Sequence, residues 1–342
     1  MTAPPPLFAM PLPARPKTSD PVCTIAIDAE EDFDWQRPVP GTRYSTGHIH
    51  DSHLLYDILG AYGVVPTHLV TYPVLQDDDA VRSFRRRLER GECVLGLQLH
   101  TWVTPPLDDE GGIERSFSGN LAAALEEQKL LSLKRRFEAR FGFAPRVFRA
   151  GRYGLGPNTS GLLEKHGIDI DVSLAPRTTF AAEGGPDFTG YDYRLFWFGE
   201  RRRLLEVPLC RSVIGWGGAP GRRVFNALSD PRLAPLRLGA LLSRLRCAER
   251  ITLSPEGNDV GAVRRLVGRL RARGQSVFAL SFHSSSLQVG RNPYVQSKAD
   301  LHFFYDRLSA MLDLLASGLG VRFVDLTQVP AHLLPPDPPA PA

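Results

Sequence analysis

The sequence has 342 residues, 43% of them hydrophobic, which is enough for a sizeable core in one large α/β domain or two average ones. Its 41 basic and 37 acidic residues nearly cancel, and because the basic residues are scattered, the charge pattern does not indicate a nucleic-acid-binding protein. No apolar run reaches the length of a membrane span, and residues 1–20 lack the pattern of a secretory signal. The four cysteines have no CxxC spacing. We therefore expect a cytoplasmic protein with free thiols.

Both ends of the chain are rich in proline, and this composition predicts disordered tails over residues 1–20 and 331–342. Between them, over residues 21–330, apolar strand-like runs alternate with helical patterns. That alternation predicts a single α/β domain with parallel strands and helices outside them. An irregular Arg-rich stretch near residues 215–250 is typical of an insertion or a lid, and it predicts either a solvated amphipathic face or a surface for a phosphate-bearing saccharide.

The first predicted strand begins at Val22 and leads into a dense group of carboxylates. Because side chains alternate along a strand, we expect Asp28 and Glu30 to share one face and Glu31 to point the other way. Two carboxylates on one face repel each other unless a cation, a shared proton or a partner relieves the repulsion. Asp28 directly follows the apolar run, and this position predicts a functional side chain.

Further elements follow in regular alternation. Helical periodicity predicts helices near 51–62, 80–90, 120–141, 155–166, 259–273 and 299–317, and apolar runs predict strands at 64–71, 93–99, 146–149, 168–173, 193–198, 204–209, 251–254, 276–283 and 321–325. In parallel α/β folds, functional side chains gather at the carboxyl ends of the strands. The polar residues expected there are Asp28, Glu30, His100, Arg149, Arg152, Tyr153, Asp171 and His283.

Five segments, occurring in the family's order, resemble motifs of the NodB-homology polysaccharide deacetylases, and within them the WalW-like branch associated with lipopolysaccharide and capsule biosynthesis loci. The segments are AIDAEEDFDW (26–35), LHTWVTPP (99–106), FRAGRYG (148–154), LEVP (205–208) and SFHSSSL (281–287), the last followed by PYV (293–295). The resemblance covers the chain from about Cys23 to Val324. It implies a distorted (β/α) barrel with fewer strands than usual, and metal-dependent removal of an acetyl group from an N-acetylated sugar.

The resemblance also implies a role for each matching residue. Asp28 stands where the family has its general base, and Arg149 stands where a side chain orients that base. His283 matches the general acid that protonates the departing amine. The oxyanion would be stabilised by a metal together with a backbone N–H around Tyr153. Glu30 matches a metal ligand.

The second motif departs from the family pattern at two positions. Relatives have two histidines four residues apart as metal ligands, where this chain has Gln98 and Trp102. His100 remains on the same strand face as Gln98. The resemblance therefore implies a divalent metal, zinc, held by Glu30, His100 and Gln98, although a neutral amide is a weaker zinc ligand than imidazole. Three outcomes stay open: a remodelled site, low metal affinity, or lost activity.

Aromatic and basic residues near the predicted strand ends complete the candidate site. Trp35 and Trp102 could stack on sugar rings, and Arg152 is a further candidate for binding the saccharide. We therefore expect a metal-dependent carbohydrate N-deacetylase acting on an N-acetylated saccharide in surface-polysaccharide or lipopolysaccharide metabolism. Two alternatives are a catalytically lapsed deacetylase fold that binds glycans or assists assembly, and a glycoside hydrolase using paired carboxylates such as Glu30 and Glu206.

Overall fold

The computed structural model describes residues 7–33, 44–50, 52–107, 112–228 and 242–336. Its strands are β1 (Leu12–Pro13), β2 (Val22–Ala29), β3 (Thr67–Val70), β4 (Val94–Leu99), β5 (Val147–Ala150), β6 (Ile170–Asp171), β7 (Phe196–Phe198), β8 (Leu204–Glu206), β9 (Arg211–Ile214), β10 (Glu249–Thr252), β11 (Val277–His283) and β12 (Arg322–Phe323). Its helices are α1 (His53–Gly60), α2 (Tyr72–Gln76), α3 (Asp78–Glu89), α4 (Ala123–Phe141), α5 (Thr159–Lys165), α6 (Gly218–Leu228), α7 (Val260–Arg271) and α8 (Lys298–Asp313).

Most strands belong to one sheet. Its order is β1-β7-β8-β6-β5-β4-β3-β2-β11, and β12 pairs with the start of β2. The pairs from β8 to β11 along this path are parallel, whereas β7 pairs antiparallel with both β8 and β1 at one edge. Parallel neighbours need crossover connections, and the helices between successive strands supply them. The predicted α/β class is therefore confirmed.

The sheet curves until its two sides meet. Beyond β8, the carbonyl of Cys210 accepts a hydrogen bond from the Leu253 N–H at 2.8 Å. The carbonyl of Leu253 accepts one in turn from the N–H of Ser281 in β11 at 3.1 Å. Two single hydrogen bonds of Leu253 thus connect the segment after β8 with β11. A regular barrel would have a continuous series of strand-to-strand hydrogen bonds there. The architecture is the distorted (β/α) barrel that the sequence predicts.

Alternation along β2 shows how the barrel directs its side chains. Cys23, Ile25 and Ile27 pack outward against helices α1, α7 and α8. Val22 and Ala26 belong instead to the separate core inside the barrel. Because the period of a strand is two residues, Asp28 continues the inward series at the carboxyl end of β2. The outward-pointing side chains of β2 thus join the apolar core between the sheet and the helices.

Several helices begin and end at residues suited to those positions. Asp77 caps α3 by accepting hydrogen bonds from the N–H groups of Asp79 and Ala80, and Asp259 caps α7. Ser297 opens α8 with a reciprocal capping box. Gly142 ends α4 in the left-handed conformation, with a φ of 80°.

In the part of the chain that is described, no helix is both long and apolar enough to cross a membrane.

The amino-terminal segment is ordered from residue 7, contrary to the prediction of a disordered tail over residues 1–20. Strand β1 pairs with β7, and the ring of Phe8 is 1% exposed. Phe8 makes edge-to-face contacts with Phe196 and Phe198, whose centroids lie 4.9 and 5.1 Å away. Burying one aromatic ring contributes about 2 to 3 kcal/mol, which helps to offset the entropy lost on ordering a proline-rich segment. Residues 1–6 lie outside the described residues.

The carboxyl-terminal segment differs from its prediction in the same way. Leu333 is 3% exposed within the barrel core, and the N–H of Leu334 donates to the carbonyl of Arg15 at 2.7 Å. The start of the predicted tail over residues 331–342 therefore packs against the amino-terminal segment, while residues 337–342 lie outside the described residues.

The Arg-rich stretch near residues 215–250 contains helix α6 and is flanked by the antiparallel hairpin of β9 and β10. Residues 229–241 of this stretch lie outside the described part of the chain. All four cysteines are free, and Cys23, Cys93 and Cys210 are buried.

Candidate active site

Four strand ends bring the predicted polar side chains together. Asp28 ends β2, Gln98 and Arg149 lie on β4 and β5, and His283 ends β11. His283 is the in-register partner of Asp28, and Gln98 is the in-register partner of Arg149. Because parallel strands present their carboxyl ends at one edge, the barrel places these side chains at a common opening.

Asp28 is held by Arg149. One carboxylate oxygen, Oδ1, accepts a hydrogen bond from Arg149 Nη1, and both side chains are almost fully buried. Arg149 is fixed in turn, because Nη1 also donates to Ser281 Oγ at 3.1 Å and Nε donates to the carbonyl of Val172 at 3.1 Å. Burial disfavours the charged guanidinium, but Asp28 and Tyr153 outweigh it and raise the pKa of Arg149. The Asp28 carboxylate therefore has a fixed orientation, with Oδ2 directed towards His283.

His283 faces that second oxygen and is backed by Glu256. Its Nε2 lies 3.7 Å from Asp28 Oδ2, and its Nδ1 lies 2.9 Å from Glu256 Oε2. The backbone N–H of His283 donates to the other oxygen of Glu256 at 3.0 Å. Burial opposes a charge on the ring, but Glu256, Glu30 and Asp28 raise the pKa of His283 to about 10. A neutral solution therefore leaves an imidazolium beside Asp28, as a general acid requires.

Glu256 was not found from the sequence. It lies four residues beyond the end of β10, in a segment that the sequence places near no other strand. Its position beside His283 depends on the single hydrogen bonds that join Leu253 to the rest of the barrel. A local signal is the polar turn in which Ser254 Oγ accepts from the Glu256 N–H at 3.1 Å.

A second cluster surrounds His100. Its Nδ1 lies 2.7 Å from Glu31 Oε1, and its Nε2 lies 3.4 Å from Glu30 Oε2. Gln98 Nε2 donates to Glu30 Oε2 at 2.9 Å and lies 3.1 Å from His100 Nε2. Burial lowers the pKa of His100, but the two glutamates outweigh burial and raise it to about 10. Burial raises the pKa of Glu30, and His100 and His283 oppose that shift. Glu31, expected to point away, therefore orients His100.

Three buried oxygens in this cluster have no hydrogen-bond partner among the described residues: Glu30 Oε1, Glu31 Oε2 and Gln98 Oε1. In the described residues, no three His, Cys, Asp or Glu side chains lie close enough to form a metal site. A metal here therefore depends on the amide of Gln98, whose oxygen and nitrogen exchange on a half-turn of the side chain. With that exchange, the donors fit a divalent ion through one carboxylate, one imidazole and one amide oxygen, a weak set for zinc.

Ser284 and His48 support Glu30 from the other side. Ser284 Oγ accepts from the Glu30 N–H at 3.4 Å and lies 3.0 Å from His48 Nε2. His48 is 1% exposed, and burial lowers its pKa to about 4. It is thus a neutral, buried hydrogen-bonding residue.

The turn after β5 brings Tyr153 to the site through a strained backbone. Arg152 and Tyr153 both have positive φ angles, 54° and 59°. Such conformations cost roughly 1 to 3 kcal/mol each and are concentrated at functional sites. Gly151 makes the turn possible, because a Cβ there would lie 2.5 Å from the Leu99 carbonyl oxygen. The guanidinium carbon of Arg149 lies 5.7 Å from the centre of the Tyr153 ring.

The predicted saccharide-binding residues have different surroundings. Trp102 stacks on His100 with ring centres 4.2 Å apart, so it forms part of the wall of the site. Arg152 is bound by protein groups, because it donates to Ser116 Oγ at 2.7 Å and pairs with Glu183. A contact between Arg152 and a saccharide stays a prediction. Trp35 lies outside the described residues.

Glu206 and Asp171 lie on the other side of the barrel wall. Asp171 is the in-register partner of Phe148 and of Glu206, and Phe148 packs in the outer core. Neighbours in register share a face, so both carboxylates point away from the barrel interior. Burial raises the pKa of Asp171 to about 6 and, with the charge of Asp171, raises that of Glu206 well above its usual value. The pairing of Glu206 with Glu30 across a cleft, as a glycoside hydrolase would need, is therefore wrong.

Comparisons with known proteins give a likeness of fold. No protein-family model and no curated protein sequence matches the chain. A crystal structure described as a polysaccharide deacetylase from Mycobacterium smegmatis matches 96% of this chain and 99% of its own at 17% identity, with a TM-score of 0.48. A CE4-family pseudoenzyme from Bacillus anthracis matches 90% of this chain and 65% of its own at 8% identity, with a TM-score of 0.43.

A 4-alpha-glucanotransferase from Thermococcus litoralis has a TM-score of 0.51 at 10% identity. It matches 92% of this chain, which spans 41% of the length of that protein. The TM-scores of the deacetylase and the pseudoenzyme are too low to carry an argument about function, and the likeness to the glucanotransferase bears on the fold alone.

Proposed function

We propose that the protein hydrolyses the acetamide of an N-acetylated saccharide, as a carbohydrate N-deacetylase. The single observation that carries the proposal is the pair formed by Asp28 and His283, with Nε2 of the ring 3.7 Å from Oδ2 of the carboxylate. One member is a carboxylate fixed by Arg149, and the other is an imidazole backed by Glu256. Hydrolysis of an amide needs both a base for water and an acid for the departing amine.

The two groups divide the proton transfers between them. Asp28 Oδ2 takes a proton from the attacking water, while Arg149 keeps Oδ1 engaged. His283, protonated at neutral pH because its pKa is raised to about 10, gives its Nε2 proton to the amine as the carbon–nitrogen bond breaks. Glu256 on Nδ1 holds the ring in this orientation. The backbone around Tyr153 is the proposed donor to the oxyanion.

Glu30, His100 and Gln98 would hold a divalent metal, zinc in our proposal, with Glu31 orienting His100. When bound, such an ion polarises an acyl carbonyl and lowers the pKa of a coordinated water. The unpartnered oxygens Glu30 Oε1 and Gln98 Oε1 support this assignment. Trp102, stacked on His100, would contact the sugar ring.

The proposed substrate is a precursor of a surface polysaccharide or lipopolysaccharide, and the proposed location is the cytoplasm. The support for the substrate is the ordered set of five motifs that resemble the WalW-like branch of the deacetylases. The support for the location is the set of free cysteines.

A second candidate function is glycan binding or assembly by a lapsed deacetylase fold. The observation that favours it is Gln98, a neutral amide where the resemblance implies an imidazole ligand. A deacetylase without its metal would keep the barrel and the aromatic wall but release no acetate.

Acetate release from N-acetylhexosamine oligosaccharides, measured beside the metal content of the purified protein, separates these candidates. We expect release that stops on chelation, and a loss of at least ~100-fold in Asp28→Asn. Asp169→Asn, an exposed aspartate paired with Arg146, is the matched control and should keep full activity. Wild type without metal or acetate release, with metal binding restored by Gln98→His, would instead establish the lapsed enzyme.

A further inference from the structure

Two arginines share one face of the hairpin formed by β9 and β10. Arg211 lies directly opposite Thr252, and Arg250 lies directly opposite Val213. Residues opposite each other in an antiparallel pair point the same way, and so do residues two apart on one strand. Arg211 and Arg250 are therefore diagonal neighbours on this face. The two positive charges repel each other, and an anion bound between them would offset that repulsion.

The hairpin lies beside the candidate active site. Arg211 follows Cys210, whose carbonyl binds Leu253, and Leu253 binds Ser281 of the strand that carries His283. The effect of Arg211 on the pKa of Tyr153 also indicates that the hairpin lies near the site. Burial raises the pKa of Tyr153 to about 12, and the charges of Arg149 and Arg211 act in the opposite direction.

Tyr294 gives a second electrostatic link between the hairpin and the site. Burial and Glu256 raise the pKa of Tyr294, and Arg211 opposes that shift. Arg211 and Glu256 therefore both influence the pKa of Tyr294, and Glu256 is the carboxylate that contacts the proposed general acid, His283.

Neither arginine has a carboxylate partner among residues 7–33, 44–50, 52–107, 112–228 and 242–336. Arg211 Nε donates to Thr252 Oγ1 at 2.8 Å, and Nη1 donates to Thr178 Oγ1 at 2.7 Å, both neutral acceptors. Arg250 Nη1 reaches the backbone carbonyl of Arg177 at 3.5 Å. Burial, together with the charge of Arg250, lowers the pKa of the half-buried Arg211.

The nearest carboxylate along the hairpin is engaged elsewhere. Glu249 is opposite Ile214, on the other face of the hairpin, and pairs with Arg265 at 2.9 Å. A half-buried guanidinium held in place by two threonines, with a second guanidinium beside it, is an arrangement that an anionic ligand would complete. Arginine is suited to this role because its planar donors match the oxygens of phosphate and carboxylate groups.

We propose that Arg211 and Arg250 bind an anionic substituent of the saccharide, a phosphate or a uronate carboxylate, while the acetamide lies at Asp28 and His283. The inference rests on the proposed function for the placement of the acetamide, but anion binding itself does not require turnover. The protein would therefore discriminate between charged and neutral saccharides that carry the same N-acetyl group.

Calorimetric binding of three probes tests this inference without relying on catalysis. The probes are N-acetylglucosamine, N-acetylglucosamine 1-phosphate, and an oligosaccharide of alternating N-acetylglucosamine and glucuronic acid. We expect at least one anionic probe to bind roughly 10-fold or more tightly than the neutral sugar, as charge-assisted hydrogen bonds predict. Whichever anionic probe binds more tightly identifies the substituent. The preference should weaken as ionic strength rises.

Substitutions assign the preference to the hairpin. Arg211→Gln, and separately the exposed Arg250→Gln, should each reduce the preference several-fold while leaving the affinity for N-acetylglucosamine unchanged. Arg264→Gln, an exposed arginine on α7, is the matched control and should change nothing. Circular dichroism checks that each variant folds, and the exposed position of Arg250 keeps the test valid if Arg211→Gln does not fold.

Equal affinity for all three probes, or a preference that survives both substitutions, would overturn the inference. Acetate release measured in parallel separates it from the proposed function. A preference for anions without acetate release contradicts the deacetylase proposal alone, and acetate release without a preference contradicts the anion site alone.

Discussion

Glu256→Gln should shift the basic limb of the pH–rate profile to lower pH. Glu256 is the nearest negative charge to His283, 2.9 Å from Nδ1, and its charge is the main cause that raises the pKa of that ring to about 10. The loss of a charge-assisted hydrogen bond costs roughly 1.5 to 3 kcal/mol, which corresponds to about 1 to 2 pKa units. Because the acid form is the active form, activity should then be lost at a pH lower by that amount.

The assay is the initial rate of acetate release between pH 6 and pH 11, fitted for the basic limb. Glu138→Gln, on α4 and paired with Lys134, is the matched control because it lies on the outer face of the barrel. An unchanged basic limb in Glu256→Gln, with only a uniform fall in rate, would refute the assignment of His283 as the acid tuned by Glu256.

The same pair predicts a stability effect of defined sign. His283 has a higher pKa in the folded than in the unfolded chain, so its contribution is fully present below about pH 6.5 and is lost as the pH rises towards 10. Glu256→Gln should therefore lower the midpoint of urea unfolding more at pH 6 than at pH 10.

Three further substitutions test the structure around the site. Asp171→Asn should become more stable relative to wild type as the pH rises from 4 to 6, by about 2 kcal/mol, because burial raises the pKa of Asp171 to about 6. Lys129→Met removes hydrogen bonds to the carbonyls of Thr101, Thr104 and Pro106 and should cost about 2 to 4 kcal/mol of unfolding free energy in urea. Gly151→Ala should reduce acetate release at least ~10-fold, since its Cβ would displace the turn that carries Tyr153.

Lys134→Met removes only a surface pair and should cost less than about 1 kcal/mol, so an equal cost for both lysines would contradict the role of Lys129. Gly161→Ala places a Cβ in open space on α5 and should retain activity, so parallel losses in the two glycine variants would contradict the steric argument. A stability difference between Asp171→Asn and wild type that does not change with pH would contradict the raised pKa.

Much of the candidate site could be predicted because strand ends are encoded locally. The apolar run before Asp28 specifies a strand, and the period of two residues specifies which face its carboxylate shares. The predicted helix near 120–141 is found as Ala123–Phe141, since periodicity and a terminal glycine are also local signals. Asp28, Arg149 and His283 meet because equivalent ends of parallel strands lie at one edge of the barrel.

The rest depended on which distant segments lie side by side. Glu256 reaches His283 only through the barrel-closing contacts of Leu253, and no local pattern specifies that register. The glycoside-hydrolase alternative requires Glu206 in a cleft, but its partners across the sheet place it on the outer face. Phe8 orders a proline-rich segment because its partners, the rings of β7, are almost two hundred residues away.

The sequence by itself determined the alternating strands and helices, the polar strand ends and the departure at Gln98, because each depends on spacing within one segment. Tertiary structure decided that Glu31 orients His100, that Glu256 supports His283, and that two arginines of the hairpin lie beside the site without a carboxylate in the described part of the chain. Those contacts join segments that are far apart in sequence, and only the register of the sheet and the closure of the barrel determine them.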